Sequence, residues 1–260
     1  AGYLLAAIVS RFVLPAWGWR PMFWLGGVPA LLALYIRTRV PESEAWKQHR
    51  APNLKAVLKS VATQWKMFLY LVLLTTFMIF LSHGTQDLYP DFLGTVHKVS
   101  KATVSEIAMI YNVGAILGAV IFGLMTERLG RRWTMIAAMG LSLMVIPFWA
   151  FGGTVTVLIV GAFLMQVGVQ GAWGIIPVHL TELAPDETRG LVSGLAYQMG
   201  VLVGAAAPAI EFSLRDRVGY QWAFAGFEIV TIAVLVVTLL LGKERKGRSF
   251  HRTAVTPVSP

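Results

Sequence analysis

The densest polar group in an otherwise apolar chain is Ser82-His83-Gly84-Thr85-Gln86-Asp87, which follows fifteen mostly apolar residues. In a helix His83 and Asp87 lie four apart and share a face, and Ser82 and Gln86 do so on the neighbouring stripe. An imidazole beside a carboxylate at the mouth of a cavity loads and unloads a proton near neutral pH. Hydroxyl and amide groups beside them can hold a carboxylate ligand. The plainer alternative is that Asp87 only ends a helix at an interface. The run of polar residues after so apolar a stretch favours a site.

Further polar groups lie inside apolar stretches. They are Arg11, Gln166, Gln170, Tyr197, Gln198, Glu211 and Glu228. Ionisable and amide groups at membrane depth are expensive unless they face a cavity or a partner. Gln198 is eight residues into its stretch, about 12 Å along a helix, which predicts a level near the middle of a bilayer. Gln166 and Gln170 serve equally well as hydrogen-bonding links between helices. Arg11 either neutralises an anion in a cavity or extends to an interface.

The elements that must position these groups are apolar helices. Of 260 residues 56% are hydrophobic and 13% charged, against roughly 25% charged in an ordinary soluble domain, and the mean hydropathy is +0.66. A bilayer core takes about 20 apolar residues per helix. Met67 to Gln86, Ile107 to Thr126 and Gly190 to Ile210 contain no Asp, Glu, Lys or Arg, and Val218 to Gly242 contains only Glu228. The uncharged stretch Trp133 to Val178 is too long for one span, and Gly152-Gly153 divides it as a hairpin. With Ala1 to Trp17, which holds Arg11 and Pro15, and Pro21 to Ile36, eight spans are expected, the first incomplete. No initiating methionine or basic leader precedes Ala1, so the chain reads as a fragment that begins inside a helix.

Glycines four apart, Gly114 with Gly118, Gly190 with Gly194 and Gly200 with Gly204, predict close helix packing. The net charge of +9 does not imply nucleic-acid binding, because the basic residues sit between apolar runs rather than on one surface. With alternating spans, sixteen of the 22 Lys and Arg fall on one face, which marks that face and the C-terminus as cytoplasmic in a multi-pass protein of the plasma membrane. The expected divisions are 1–36 for the first two spans, 37–66 for a cytoplasmic loop, 67–242 for six spans and 243–260 for a basic cytoplasmic tail. The absence of cysteine excludes disulfides, thiolate metal sites and cysteine nucleophiles. No HExxH, GxSxG or paired metal-ligand histidines occur, so neither an enzyme nor a metal or other cofactor is expected.

Gly123-Leu124-Met125-Thr126-Glu127-Arg128-Leu129-Gly130-Arg131-Arg132 resembles the G-x-x-x-D-R-x-G-R-R loop of the major facilitator superfamily, with Glu127 where Asp is commoner. Gly123, Glu127, Arg128, Gly130, Arg131 and Arg132 are thereby expected to form a conformational latch of charge pairs at a cytoplasmic helix junction. Val40-Pro41-Glu42-Ser43-Glu44-Ala45-Trp46 resembles the P-E-S-P-R-W element after helix six, departing at Glu44-Ala45. Pro177, Glu182, Pro185 and Arg189 resemble the loop between helices ten and eleven. The resemblance implies an all-α membrane protein of the major facilitator fold. The chain would comprise helices five and six of the N-terminal half and the C-terminal six-helix bundle.

Ser82-His83-Gly84-Thr85-Gln86-Asp87 is also similar to the S-H-x-S/T-Q-D core of Jen-type lactate permeases, within the sialate:proton symporter family. Gly171 to Leu180, Gly194-Leu195-Ala196-Tyr197-Gln198 and Glu211 are similar to the same family. Ile79 and Asp91 stand where its longer motif has Asn and Thr, which bears on substrate size. The resemblance implies proton-coupled uptake of a small carboxylate by alternating access. Ser82, His83, Gln86, Gln198 and Arg11 would contact the substrate, and His83 and Asp87 would carry the proton. Partners would be the carboxylate, protons and the bilayer, with no nucleic acid and no oligomeric state implied. A sugar or drug carrier of the same superfamily is the alternative, and a nontransporting membrane receptor the alternative of another class.

Overall fold

The computed structural model describes residues 2–40, 54–185 and 188–244, with the backbone alone at 54, 56, 57 and 60. The described residues are helical throughout, without strands. The first two helices are α1 (Gly2–Trp17) and α2 (Arg20–Arg39), followed by a short α3 (Leu54–Thr63). Then come α4 (Trp65–Gly84), α5 (Tyr89–Thr95), α6 (Lys101–Leu129), α7 (Arg131–Phe151), α8 (Val155–Trp173) and α9 (Ile176–Leu183). The chain closes with α10 (Arg189–Gly204), α11 (Ala207–Val218) and α12 (Tyr220–Leu241).

Among the described residues six stretches are long and apolar enough to cross a membrane: Trp65–Thr95, Lys101–Leu129, Arg131–Phe151, Val155–Leu183, Arg189–Val218 and Tyr220–Leu241. Of the two further spans expected, Gly2–Trp17 is a shorter apolar helix, and α2 has 20 residues, two of its arginines in the last turn. The stretch 37–66, expected as a loop, contains the whole of α3. Val40 is described, but Pro41 to Trp46 and nearly all of the basic tail lie outside the described residues.

Three of the six spans are broken in two, and proline explains each break. Pro90, Pro177 and Pro208 sit in the first turn of α5, α9 and α11. Proline has no amide hydrogen, and its ring clashes with the carbonyl four residues back. For Pro177 and Pro208 those residues are Trp173 and Gly204, where α8 and α10 end. At the first turn of a new helix the same proline is favourable, because no hydrogen bond is missed there.

The helix ends follow local chemistry. Ser100 accepts from the Thr103 amide at 3.2 Å and Thr154 from the Val157 amide at 3.3 Å, which starts α6 and α8. Gly152-Gly153 falls between α7 and α8, as the hairpin expectation required. Gly130 joins α6 to α7 at φ +89°, a backbone region that glycine enters without steric penalty.

In the bundle α8 packs along α6 and α7, α4 along α10 and α12, and α12 also along α7. Glycine sets two of these approaches. A Cβ on Gly114 or Gly118 would strike the Phe163 and Val167 carbonyls of α8, and one on Gly200 or Gly204 would strike Thr75 and Ile79 of α4. Gly190 and Gly194 meet nothing within 4 Å, so among the described residues this pair takes no part in the packing expected of it. Beside the α4–α5 break Tyr89, Trp149 and Phe224 stack at 5.2–5.3 Å between ring centres. The Tyr89 hydroxyl lies 3.3 Å from both the Trp149 and the Leu158 carbonyl. This buried aromatic cluster fixes α5 against α7, α8 and α12.

Candidate functional site

The Ser82–Asp87 stretch occupies the α4–α5 break. The backbone amides of Gln86 and Asp87 both reach the His83 carbonyl, at 3.1 and 2.8 Å, so a last turn closes before the chain restarts at Tyr89. That turn holds the His83 ring against Asp87, with Nδ1 to Oδ2 at 2.8 Å. The two side chains are 38% and 25% exposed, which leaves the pair open to one side. Asp87 lies within the span rather than at its end, since the same span continues to Thr95.

Hydrogen bonds from α8 fix the rest of the turn. Gln170 Nε2 donates to Ser82 Oγ at 3.0 Å and Gln166 Nε2 to Thr85 Oγ1 at 3.0 Å. Gln86 Nε2 lies 3.3 Å from both the Ser82 carbonyl and Ser82 Oγ. Gln166 and Gln170 thus link α8 to α4. Ser82 Oγ collects two amide donors, one from Gln86 and one from Gln170.

Ser82, His83, Gln86 and Asp87 are brought together, and two other expected residues are not. Gln198 lies on an exposed face of α10, two residues before Gly200, which packs on α4. Arg11 is drawn instead into an ion pair on the α1–α6 contact, Nε to Glu106 Oε1 at 3.1 Å. A side chain so paired is held by a carboxylate of its own chain rather than by the turn at His83. The partner, Glu106, is the lone acid of α6's early turns, and that was the signal available.

The expected latch is a connected network. Arg131, 5% exposed, meets Glu182, 2% exposed, with Nη2 to Oε1 at 3.0 Å and Nε to Oε2 at 3.2 Å. Arg131 Nη1 also reaches Glu127 at 2.6 Å. Arg132 donates from Nε to the Leu239 carbonyl at 2.5 Å and from Nη2 to that of Leu240 at 2.8 Å, and its amide donates to Glu244 at 3.0 Å. The α6–α7 corner is thereby tied to α9 and to the C-terminus of α12. Gly130 packs against the Glu244 carboxylate, while Gly123 meets nothing within 4 Å. Arg128 is exposed and also engaged in an interaction of its own.

A polar group on the far side was not foreseen. Tyr220 Oη donates to Asp91, and Arg215 Nη1 lies 3.3 Å from the same hydroxyl. This ties α5, α11 and α12 together.

Residues 88–259 match the family model described as the Major Facilitator Superfamily. The chain belongs to the Major Facilitator Superfamily. Within it, the chain is 30% identical over 93% of its length to a carboxylic acid transporter protein homolog of Saccharomyces cerevisiae, covering 44% of that protein. It is 27% identical over 96% of its length to the niacin transporter NiaP of Acinetobacter baylyi, covering 64% of that protein. It is 25% identical over 93% of its length to the sialic acid transporter NanX of Escherichia coli, covering 60% of that protein. The chain therefore spans about half to two thirds of the length of these superfamily members.

Proposed function

We propose that this chain is the C-terminal bundle, with two helices of the N-terminal half, of a proton-coupled symporter for small carboxylates. On this reading α1 and α2 are helices five and six of a twelve-span carrier, and the six long spans are helices seven to twelve. The basic loops and the C-terminus face the cytoplasm across the plasma membrane. Coverage of only part of each relative supports the assignment to one portion of a longer carrier.

The observation that carries the reading is the His83–Asp87 pair at a broken membrane span, flanked by Ser82, Gln86 and Gln170. Broken helices put polar groups at membrane depth where a cavity passes. An imidazole on a carboxylate exchanges a proton readily. The Ser82 hydroxyl can donate a hydrogen bond to a substrate carboxylate, and Gln86 Nε2 can do so only by exchanging its bonds to Ser82 for the substrate. A proton that travels with the anion cancels its charge, which lowers the barrier to moving it through a low-dielectric path. Carboxylic acids, niacin and sialic acid, named for the relatives, all carry a carboxyl group. Gln198, exposed on α10, faces the cavity that the first helices would complete. The Arg131–Glu182 network holds the inner ends of the helices in one of two alternating states.

Uptake of labelled lactate, pyruvate and sialic acid by cells that express the complete carrier, with and without a proton uncoupler, tests this. Uncoupler-sensitive uptake of at least one acid is expected. Uptake of none of the three contradicts the substrate class.

A further inference from the structure

Two acids in the bundle have no role in the site described so far. Glu211 of α11 and Glu228 of α12 are each 0% exposed. Among the described residues, none of their four carboxyl oxygens has a hydrogen-bond partner. A buried carboxylate without cation or donor is among the most unfavourable groups a protein can hold in an apolar bundle. Packing alone would be served better by an apolar side chain of the same size.

Their position gives the second observation. A Cβ built on Gly84 would overlap Glu228 Oε1 and the Phe227 ring. The Glu228 carboxyl thus occupies the space that a side chain at Gly84 would fill, one residue from His83. Glu211 stands on α11, which packs against both α4 and α12, the helices of His83 and Glu228. Glu211 and Glu228 therefore lie in the sealed interior on helices that pack against the span carrying the half-exposed pair. The surrounding helices bring few other ionisable groups to this level. On α4 the others are Lys66 and Tyr70 near its start, and on α7 only Arg131 and Arg132 in its first turn. On α10 they are Arg189 and Tyr197, and on α11 Arg215, Asp216 and Arg217 toward its far end. Tyr111 of α6 and Tyr3 of α1 lie within the field of Asp87.

We propose that the Glu228 and Glu211 carboxyls store the transported proton, and that the His83–Asp87 pair is the entry through which it reaches them. The inference rests on the proton-coupled reading above. In each transfer one N–H or O–H bond breaks on the donor as an O–H bond forms on the accepting carboxylate, and no electrons are exchanged. A proton shared by the two acids removes their mutual repulsion, and a sealed position keeps it from leaking when no substrate is bound. Gly84 is required because any side chain there would displace the Glu228 carboxyl from its place against the end of α4.

The test compares Glu228→Gln and Glu211→Gln with the wild type in the complete carrier, by proton-driven accumulation of the labelled acid and by alkalinisation of the medium on its addition. Each glutamine keeps the shape and cannot take up the proton, so accumulation falls at least tenfold in one or both variants and alkalinisation is lost. A coupled wild type with both variants accumulating and alkalinising like it overturns this proposal and leaves the proton-coupled reading standing. A wild type that moves the acid without alkalinisation overturns both. The wild-type protein gives an independent readout by infrared difference spectroscopy on addition of the acid. A change in the C=O band of a protonated carboxyl is expected, and no change in that band overturns the proposal.

Discussion

Replacing Glu182 by Gln should destabilise the bundle far more than replacing Glu127 by Gln, although both acids pair with Arg131. Glu182 is 2% exposed and contacts two nitrogens of a guanidinium that is itself 5% exposed. The Glu127 side chain is 68% exposed despite its shorter 2.6 Å contact. Removing one partner of a buried pair strands the other charge and costs about 3–5 kcal/mol. An exposed pair contributes only about 0–1 kcal/mol. With each kcal/mol worth about 2–4 °C in a chain of roughly this size, Glu182→Gln should lower Tm by on the order of 10 °C and Glu127→Gln by no more than about 4 °C. Because the loss comes from the stranded charge, Arg131→Met combined with Glu182→Leu should recover most of it. Thermal unfolding of the detergent-solubilised carrier reads all four proteins. Equal losses for the two Gln variants, or a double variant as unstable as Glu182→Gln, would refute the assignment of stability to the buried half of the network.

Gly118→Ala places a methyl against the Val167 carbonyl and should sharply lower the yield of folded protein, whereas Gly194→Ala, which meets open space, should leave it within a few tens of per cent in size-exclusion chromatography. Tyr89→Phe removes a hydroxyl set between two carbonyls and should cost about 1 kcal/mol, seen as a small Tm shift with transport kept. In the transport reading, Asp87→Asn and His83→Ala should each lower uncoupler-sensitive uptake tenfold or more at matched surface expression.

The helical class and the six long spans follow from composition, because apolar runs of 20 or more residues have no other stable home. The hairpin at Gly152-Gly153 and the meeting of His83 with Asp87 follow from spacing alone. The breaks in three spans were missed because a 20-residue rule stops counting at Gln86, Val178 and Ile210, though Pro90, Pro177 and Pro208 marked each restart. The pairing of Arg11 was not legible for a different reason. Its partner Glu106 is 95 residues away, and long-range pairing has no local pattern. The same holds for Tyr220 with Asp91, and for Glu228 seated against Gly84. Among the described residues Gly190 and Gly194 meet no neighbour, because small residues four apart show only that helices can approach, not which faces meet.

The central claim is that a proton travels with a small carboxylate past His83 and Asp87. The most direct measurement places the purified complete carrier in proteoliposomes, adds lactate, pyruvate or sialic acid outside, and follows external pH with no imposed gradient. The account predicts an immediate alkalinisation with the transported acid, absent in Asp87→Asn vesicles. Uptake of the acid with no pH change, or an equal change with Asp87→Asn, would contradict it.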